Sequence, residues 1–179
     1  LFTPRGTIIR DQIGEFSQEL QRAAGYQKVA IPHIAKVDLY KASGHYDKYP
    51  ERFSVTSFES DTEFMMKPMN CPHHMQIFDD NQFSYRDMPI RYFEPATVYR
   101  DEKTGQLSGL TRVRAITQDD GHLFCRVSQI KDEVSTIVNI IKEFYQTFGL
   151  LDGYWVSFSV RDSQNLEKYI GGDDVWQVA

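Results

Sequence analysis

Residues 89–122 read PIRYFEPATVYRDEKTGQLSGLTRVRAITQDDGH. Two runs rich in β-branched and aromatic residues flank a Lys103-Thr104-Gly105 turn, and this pattern predicts a β-hairpin. The strands and loop of the hairpin carry four charged side chains, which are Arg100, Glu102, Arg112 and Arg114. A guanidinium group binds phosphate oxygens through paired hydrogen bonds, so the hairpin is suited to binding a nucleotide.

Length and composition limit the class of protein. The chain has 179 residues, of which 41% are hydrophobic, enough to bury a full core. Its net charge of −5 argues against a general nucleic-acid coat protein, so any RNA contact has to be local. No apolar run approaches the ~18 residues of a membrane helix, and no signal peptide is evident. We therefore expect no membrane partner and a cytoplasmic location, in the cytosol or an organelle matrix.

The spacing of hydrophobic residues predicts the order of the secondary structure. A helix is expected over residues 7–24 with Gly25 as its stop, followed by a strand over 26–34. Strands joined by hairpins, with helices set to one side, predict an α+β fold around a mostly antiparallel sheet. The other predicted elements are a short helix and loop at 36–48, a hairpin over 53–67, a helix after Pro72, strands at 89–101, 110–118, 121–126 and 154–160, and a helix over 128–148 with Gly149 as its stop.

The hairpin resembles motif 2 of the class II aminoacyl-tRNA synthetases, in the form found in threonyl-tRNA synthetases. Residues 7–34 resemble motif 1 of the same family, which implies a homodimer formed through motif 1. The resemblance covers nearly the whole chain and implies a partial class II catalytic domain over residues 1–179. Motif 3 and the editing and anticodon-binding domains are absent from the sequence. We therefore expect a C-terminally truncated piece of the catalytic fold, with little or no activity by itself.

The resemblance implies activation of threonine with ATP and Mg²⁺ to threonyl-adenylate, followed by transfer to tRNA(Thr). Arg100 matches the catalytic arginine that holds the α-phosphate and the carboxylate of the amino acid. Glu102, expected on the same strand face, matches the acceptor for the adenine amino group, and Arg112 matches the residue that reaches the outer phosphates. Ile116 replaces the phenylalanine that usually stacks on adenine, which removes an aromatic contribution of about 1 kcal/mol.

Cys71 and His122 are the candidate metal ligands. Cys71 stands in Asn70-Cys71-Pro72, within a segment over 67–78, and His122 ends the run Gln-Asp-Asp-Gly-His. Both contexts resemble those of the catalytic Zn²⁺ ligands in threonyl-tRNA synthetases, whose third ligand lies beyond this chain. Without the resemblance, two such distant residues would favour a buried structural cysteine. Residues 123–179 contain no histidine, so the chain is expected to supply two of the three ligands.

Four further residues are candidates for the threonine pocket by the same resemblance. Asp120 matches the acceptor for the threonine hydroxyl, and Gln118 lines the same pocket. Met69 is expected to border the pocket, and His45 lies in a loop that the family keeps near the substrate. Cys125 matches no motif and is assigned to the core. A metal that binds the hydroxyl and amino groups of threonine would exclude valine, which lacks the hydroxyl.

Two other functions are compatible with the sequence. A paralogue could activate threonine for a carrier, or resist an inhibitor, without charging tRNA. A pseudo-synthetase could retain the fold as a dimerising or tRNA-sensing module. The second alternative predicts decay of the nucleotide and metal residues, whereas all of those assigned above are present.

Overall fold

A computed structural model describes residues 1–162, 164–166, 169 and 172–178. It contains two compact units, Leu1–Cys125 and Arg126–Ala179. Within the described ranges, no helix combines the length and the apolar composition that crossing a bilayer requires.

The first unit contains two three-stranded sheets with helices around them. The elements of this unit are α1 (Pro4–Ala23), β1 (Gln27–Lys28), β2 (Ile34–Lys36), α2 (Val37–Ala42), α3 (His45–Lys48), β3 (Ser54–Val55), β4 (Phe64–Met66), α4 (Cys71–Asp79), β5 (Ile90–Tyr99) and β6 (Ala115–Phe124). One sheet has the order β1-β5-β6, with β1 parallel and β6 antiparallel to β5, and the other has the antiparallel order β2-β4-β3. The predicted α+β class is confirmed, but the sheets are small and one of them is mixed.

Helix α1 begins and ends with capping residues. The hydroxyl of Thr3 accepts a hydrogen bond from the amide of Gly6 at 3.2 Å, which satisfies one free amide of the first turn. Gly25 follows the last turn with φ of +83°, in the left-handed region where a glycine ends a helix without strain. The predicted stop at Gly25 is therefore confirmed. Ile8 and Ile9 are more than half exposed, so the apolar residues of α1 are only partly covered.

The prediction of one continuous strand over 26–34 is wrong. The segment divides into β1 and β2, and residues 29–33 between them form no strand. Pro32 has no amide to donate to a ladder, and the amide of Ile31 donates instead to the side chain of Glu94 at 3.1 Å. The chain therefore leaves the first sheet at this point and enters the second.

The hairpin of β5 and β6 is the central feature of the first unit. The two strands pair antiparallel from Ile90↔Phe124 to Tyr99↔Ala115, so the predicted hairpin is confirmed. The separate strands predicted at 110–118 and 121–126 are wrong, because Gly121 pairs with Phe93 within one unbroken strand. Phe93 is fully buried and contributes to the core beneath the hairpin.

The second unit contains α5 (Ile130–Thr147) and α6 (Asp173–Val178). Gly149, with φ of +67°, follows α5 as predicted. Val134 and Ile141 are spaced as one apolar helix face, yet both are nearly half exposed. The strand predicted over 154–160 is also wrong: these residues form no strand and have no partner strand within the described part of the chain. Their aromatic and β-branched residues favour extended backbone, but a strand also requires a neighbour.

Candidate functional site

Strand β6 presents its candidate residues on one face. Ile116, Gln118, Asp120 and His122 are half-buried and alternate with more exposed residues, as the two-residue period of a strand requires. Asp119 points the other way, where its carboxylate accepts hydrogen bonds from Gln21, at 2.5 Å, and Ser17 of α1. Strand alternation thus separates the two adjacent aspartates, one toward the candidate site and one toward the helix beneath.

The structure brings Cys71 and His122 together, although they are distant in the sequence. One potential ligand atom from each of Cys71, Asp120 and His122 lies within 4.8 Å of the other two. Cys71 is the first residue of α4, and Asp120 and His122 share a face of β6. The side-chain Nδ2 of Asn70 donates to Oδ2 of Asp120 at 3.0 Å, which fixes that carboxylate against the start of α4.

These residues fit a zinc ion by their chemistry. Thiolate, imidazole and carboxylate groups are all donor types that zinc takes in proteins. Burial and the nearby charge of Asp120 raise the pKa of the Cys71 thiol. The metal-free site therefore favours the protonated thiol, and metal binding would release that proton.

Sequence reasoning missed several buried polar residues behind this cluster. Lys67, Asn70 and His74 are fully buried, and Glu94 is 8% exposed. Within the described part of the chain, Nζ of Lys67 and Oδ1 of Asn70 have no hydrogen-bond partner. Burial lowers the pKa of Lys67, while Glu94 and Asp120 oppose that change. His74 follows Cys71 by three residues, a helical spacing that places both on one face of α4 and that the sequence already contained.

Arg100 and Met69, two of the predicted site residues, are in contact. Nη2 of Arg100 donates to Sδ of Met69 at 3.3 Å, and its guanidinium carbon lies 5.1 Å from the ring centroid of Tyr49. Among the described residues, the buried Nε of Arg100 has no hydrogen-bond partner. Sulfur is a weak acceptor, so the guanidinium retains most of its capacity to bind an anion.

Glu102 and Arg112 form an ion pair in the hairpin loop. Nε and Nη2 of Arg112 contact Oε2 of Glu102 at 3.1 and 2.9 Å. The prediction that Glu102 shares a strand face with Arg100 is wrong, because β5 ends at Tyr99 and the amide of Glu102 donates to the carbonyl of Arg100 at 2.8 Å. That contact turns the chain and leaves the Glu102 side chain buried beside Arg112, which is half exposed.

His45 lies within electrostatic reach of the cluster. Its Nδ1 contacts the carbonyl of Ser43 at 3.1 Å, and its ring stacks on Tyr49 with centroids 6.1 Å apart. Burial lowers the pKa of His45, the contact with Ser43 opposes this, and the charges of Lys48 and His122 lower it further. Tyr49 thus lies between two predicted site residues, because it also packs beneath the guanidinium of Arg100.

Comparison with known proteins identifies one family. The family model described as the tRNA synthetase class II core domain (G, H, P, S and T) matches residues 52–171. A threonine–tRNA ligase of Cytophaga hutchinsonii is 44% identical over the whole chain, and this chain spans 28% of its length. The chain therefore corresponds to less than a third of that relative.

Two solved structures share the fold. The RNA-binding domain of threonyl-tRNA synthetase from Cryptosporidium parvum aligns with a TM-score of 0.85 and 31% identity, over 98% of this chain and 42% of that one. Prolyl-tRNA synthetase of Giardia lamblia in complex with prolyl-adenylate aligns with a TM-score of 0.74 and 20% identity, over 81% of this chain and 30% of that one. The second likeness concerns the fold alone.

Proposed function

The chain belongs to the tRNA synthetase class II core domain family, and from that premise we propose that it activates threonine within a threonine–tRNA ligase. The full-length protein would join threonine to ATP as threonyl-adenylate and transfer it to tRNA(Thr). The observation that carries this proposal is the cluster of Cys71, Asp120 and His122 beside the β5–β6 hairpin. Similarity to threonine–tRNA ligases along the whole chain supports the same assignment.

The hairpin residues would bind ATP. The carboxylate of threonine is already ionised at neutral pH and attacks the α-phosphorus without a general base, so catalysis depends on positioning and charge neutralisation. Arg100 would neutralise charge on the α-phosphate together with Mg²⁺, and its buried Nε, which has no partner among the residues that the structure describes, supports that role. Glu102 would accept a hydrogen bond from the adenine amino group, and Ile116 would cover the face of the purine. Arg112 would leave its ion pair with Glu102 and bind the outer phosphates.

The inner face of β6 would recognise threonine. Cys71 and His122 would hold zinc, which when bound supplies open coordination positions for the amino and hydroxyl groups of the amino acid. Asn70 holds one oxygen of Asp120, and Asp120 would accept from the threonine hydroxyl. Valine has no hydroxyl for the zinc ion and Asp120 to bind. A site built to bind a polar group rejects an analogue that lacks the group, because the polar residues of the site are then left unpaired.

Domain boundaries, the oligomeric state and the cellular location are further parts of the proposal. We propose motif 1 over 7–34, motif 2 over 89–122 and a homodimer that packs through α1, whose exposed Ile8 and Ile9 support an apolar contact there. Gln118, Met69 and His45 are proposed to line the amino-acid pocket. A cytoplasmic location is proposed with them.

Charging of a tRNA(Thr) transcript by the full-length protein tests the proposed function directly. We expect threonylated tRNA to accumulate with threonine and ATP, and none to accumulate with proline. If threonine is activated but no tRNA is charged, the carrier-activating paralogue becomes the correct assignment. If neither step occurs in protein that folds and dimerises, the chain is a pseudo-synthetase.

Replacing Glu102 with alanine should weaken the binding of ATP through its adenine base and leave the recognition of threonine unaffected. We expect the KM for ATP to rise roughly 10-fold, the effect of losing one hydrogen bond to a charged group, while discrimination of threonine against valine is unchanged. Steady-state pyrophosphate exchange measures both quantities. Glu63→Ala is a control, because Glu63 is an exposed acid paired with Lys41 at 3.5 Å. Collapse of the threonine preference in the Glu102 variant would show that the adenine pocket is misplaced.

The adjacent aspartates of β6 provide a second, internally matched prediction. Asp119→Asn should lower the free energy of unfolding by about 1–3 kcal/mol, because it weakens contacts to Gln21 and Ser17, and should leave exchange intact. Asp120→Asn should lower threonine-dependent exchange by roughly 10- to 100-fold with little change in stability. Denaturant unfolding and exchange are measured on both variants. If Asp119→Asn lost exchange and Asp120→Asn lost stability instead, the Asp119 face of β6 would be the one that contacts the substrate.

A further inference from the structure

Three side chains form a chain of contacts behind the metal cluster. Nδ1 of His122 lies 2.8 Å from Nδ1 of His74, and Nε2 of His74 lies 3.5 Å from Oε2 of Glu94. The two imidazole rings meet edge to face at 82°, with centroids 4.6 Å apart. His74 is fully buried and Glu94 nearly so, so solvent does not compete for these contacts.

We infer that Glu94 and His74 are positioning residues that hold His122 in the tautomer protonated on Nδ1, which leaves Nε2 free to bind a metal. This inference rests on the proposed zinc site and extends it to residues that neither motif nor resemblance assigned. A metal-binding histidine commonly has its second nitrogen oriented by a carboxylate or carbonyl. Here a second imidazole lies between the carboxylate and the ligand.

The carboxylate fixes the direction of the hydrogen bonds. An ionised Glu94 only accepts, so Nε2 of a neutral His74 must carry its proton. Nδ1 of His74 then has a lone pair and accepts. His122 must therefore donate through its own Nδ1–H, since one of the two facing nitrogens has to be the donor. In the neutral ring that a metal ligand must be, Nε2 is then the nitrogen without a proton.

A backbone contact fixes the carboxylate in turn. Oε1 of Glu94 accepts from the amide of Ile31 at 3.1 Å, so Oε2 is the oxygen that faces His74. In Glu94→Gln, the Ile31 amide would keep the side-chain oxygen of glutamine at the Oε1 position. The NH₂ group would then face His74 and donate to it. Each hydrogen bond in the chain would reverse, and Nε2 of His122 would carry a proton.

His74 is better placed as a partner of His122 than as a ligand itself. Two nitrogens bound to one zinc ion at 2.0–2.1 Å lie roughly 3.3 Å apart in a tetrahedral site, whereas these two lie 2.8 Å apart. Among the described residues, the cluster of candidate ligand atoms contains Cys71, Asp120 and His122 but not His74. The distance matches a hydrogen bond between the two rings.

The first test needs no substitution and no metal. Long-range proton–nitrogen NMR correlations of the histidine-labelled, zinc-depleted full-length protein distinguish the two tautomers of each imidazole. We expect His122 protonated on Nδ1 and His74 protonated on Nε2, with signals assigned from a His122→Gln variant. The reverse tautomer at either ring overturns the inference, even if the protein binds zinc.

The second test measures zinc affinity by competition with a chelator. We expect Glu94→Gln to bind zinc roughly 10- to 100-fold more weakly, the range for loss of an orienting partner, with the His122 proton moved to Nε2. Asp119→Asn is the control, because it removes a carboxylate from the other face of β6 and should retain wild-type affinity. Wild-type affinity in Glu94→Gln overturns the positioning role, whereas failure of the wild-type protein to bind zinc overturns the proposed site itself.

Discussion

Arg100→Lys in the full-length protein is expected to lower threonine-dependent pyrophosphate exchange by roughly 10²- to 10³-fold, the effect of removing a preorganised donor from a developing negative charge. Lysine retains the positive charge but not the planar fork of donors. Nη2 of this guanidinium donates to the thioether of Met69, its Nε has no hydrogen-bond partner within the part of the chain that the structure describes, and it lies over Tyr49. Its donors are therefore available to the α-phosphate and the carboxylate of threonine.

Arg86→Lys is the matched control for this substitution. The guanidinium of Arg86 also lies over a tyrosine, Tyr85, at 5.5 Å from the ring centroid, but it is exposed and distant in sequence from the hairpin loop. We expect wild-type exchange from this variant. An Arg100→Lys protein with exchange near wild type would remove Arg100 from the catalytic role.

Cys71→Ser is expected to release zinc and to reduce threonine activation by at least roughly 100-fold, because a ligand loss exceeds the effect of losing an orienting partner. A serine hydroxyl has nearly the shape of the thiol but is a poor zinc ligand. The loss should affect recognition of the amino acid and leave ATP binding intact. Metal analysis of the purified protein and exchange at saturating ATP measure the two effects.

Cys125→Ser is the control for the cysteine substitution. Cys125 is also a free, half-buried cysteine, and it lies outside the cluster of candidate ligands. Its replacement should leave both zinc content and exchange unchanged. Unchanged zinc content in Cys71→Ser would instead remove Cys71 from the metal site.

The parts of the fold that depend on local chemistry were predictable from the sequence. Gly25 and Gly149 end their helices as expected, and the paired strands of the hairpin follow from their β-branched and aromatic residues. Segment 154–160 has the same composition but no neighbouring strand among the described residues. The difference lies in pairing, which is a tertiary property that no local pattern contains.

The candidate site was predictable only in part, for the same reason. The resemblance assigned Gln118, Asp120 and His122 to one site with Cys71, but the predicted break between residues 118 and 121 hid the fact that the three share one face of a single strand. Glu94 lies at the site because β5 and β6 pair in a register that places it opposite Asp120. His74 lies there because of the way α4 packs against the hairpin. These contacts exist only after α4 has packed beside β5 and β6, so spacing in the sequence did not reveal them.

Pyrophosphate exchange by the full-length protein with threonine, serine, valine and proline shows whether the threonine site is metal-based. Zinc is quantified in the same preparation. We predict exchange with threonine, weaker exchange with serine, none with valine or proline, and about one zinc per chain. Exchange with proline and no bound zinc would rule out a metal-based threonine site and place the chain with the prolyl enzymes of its family.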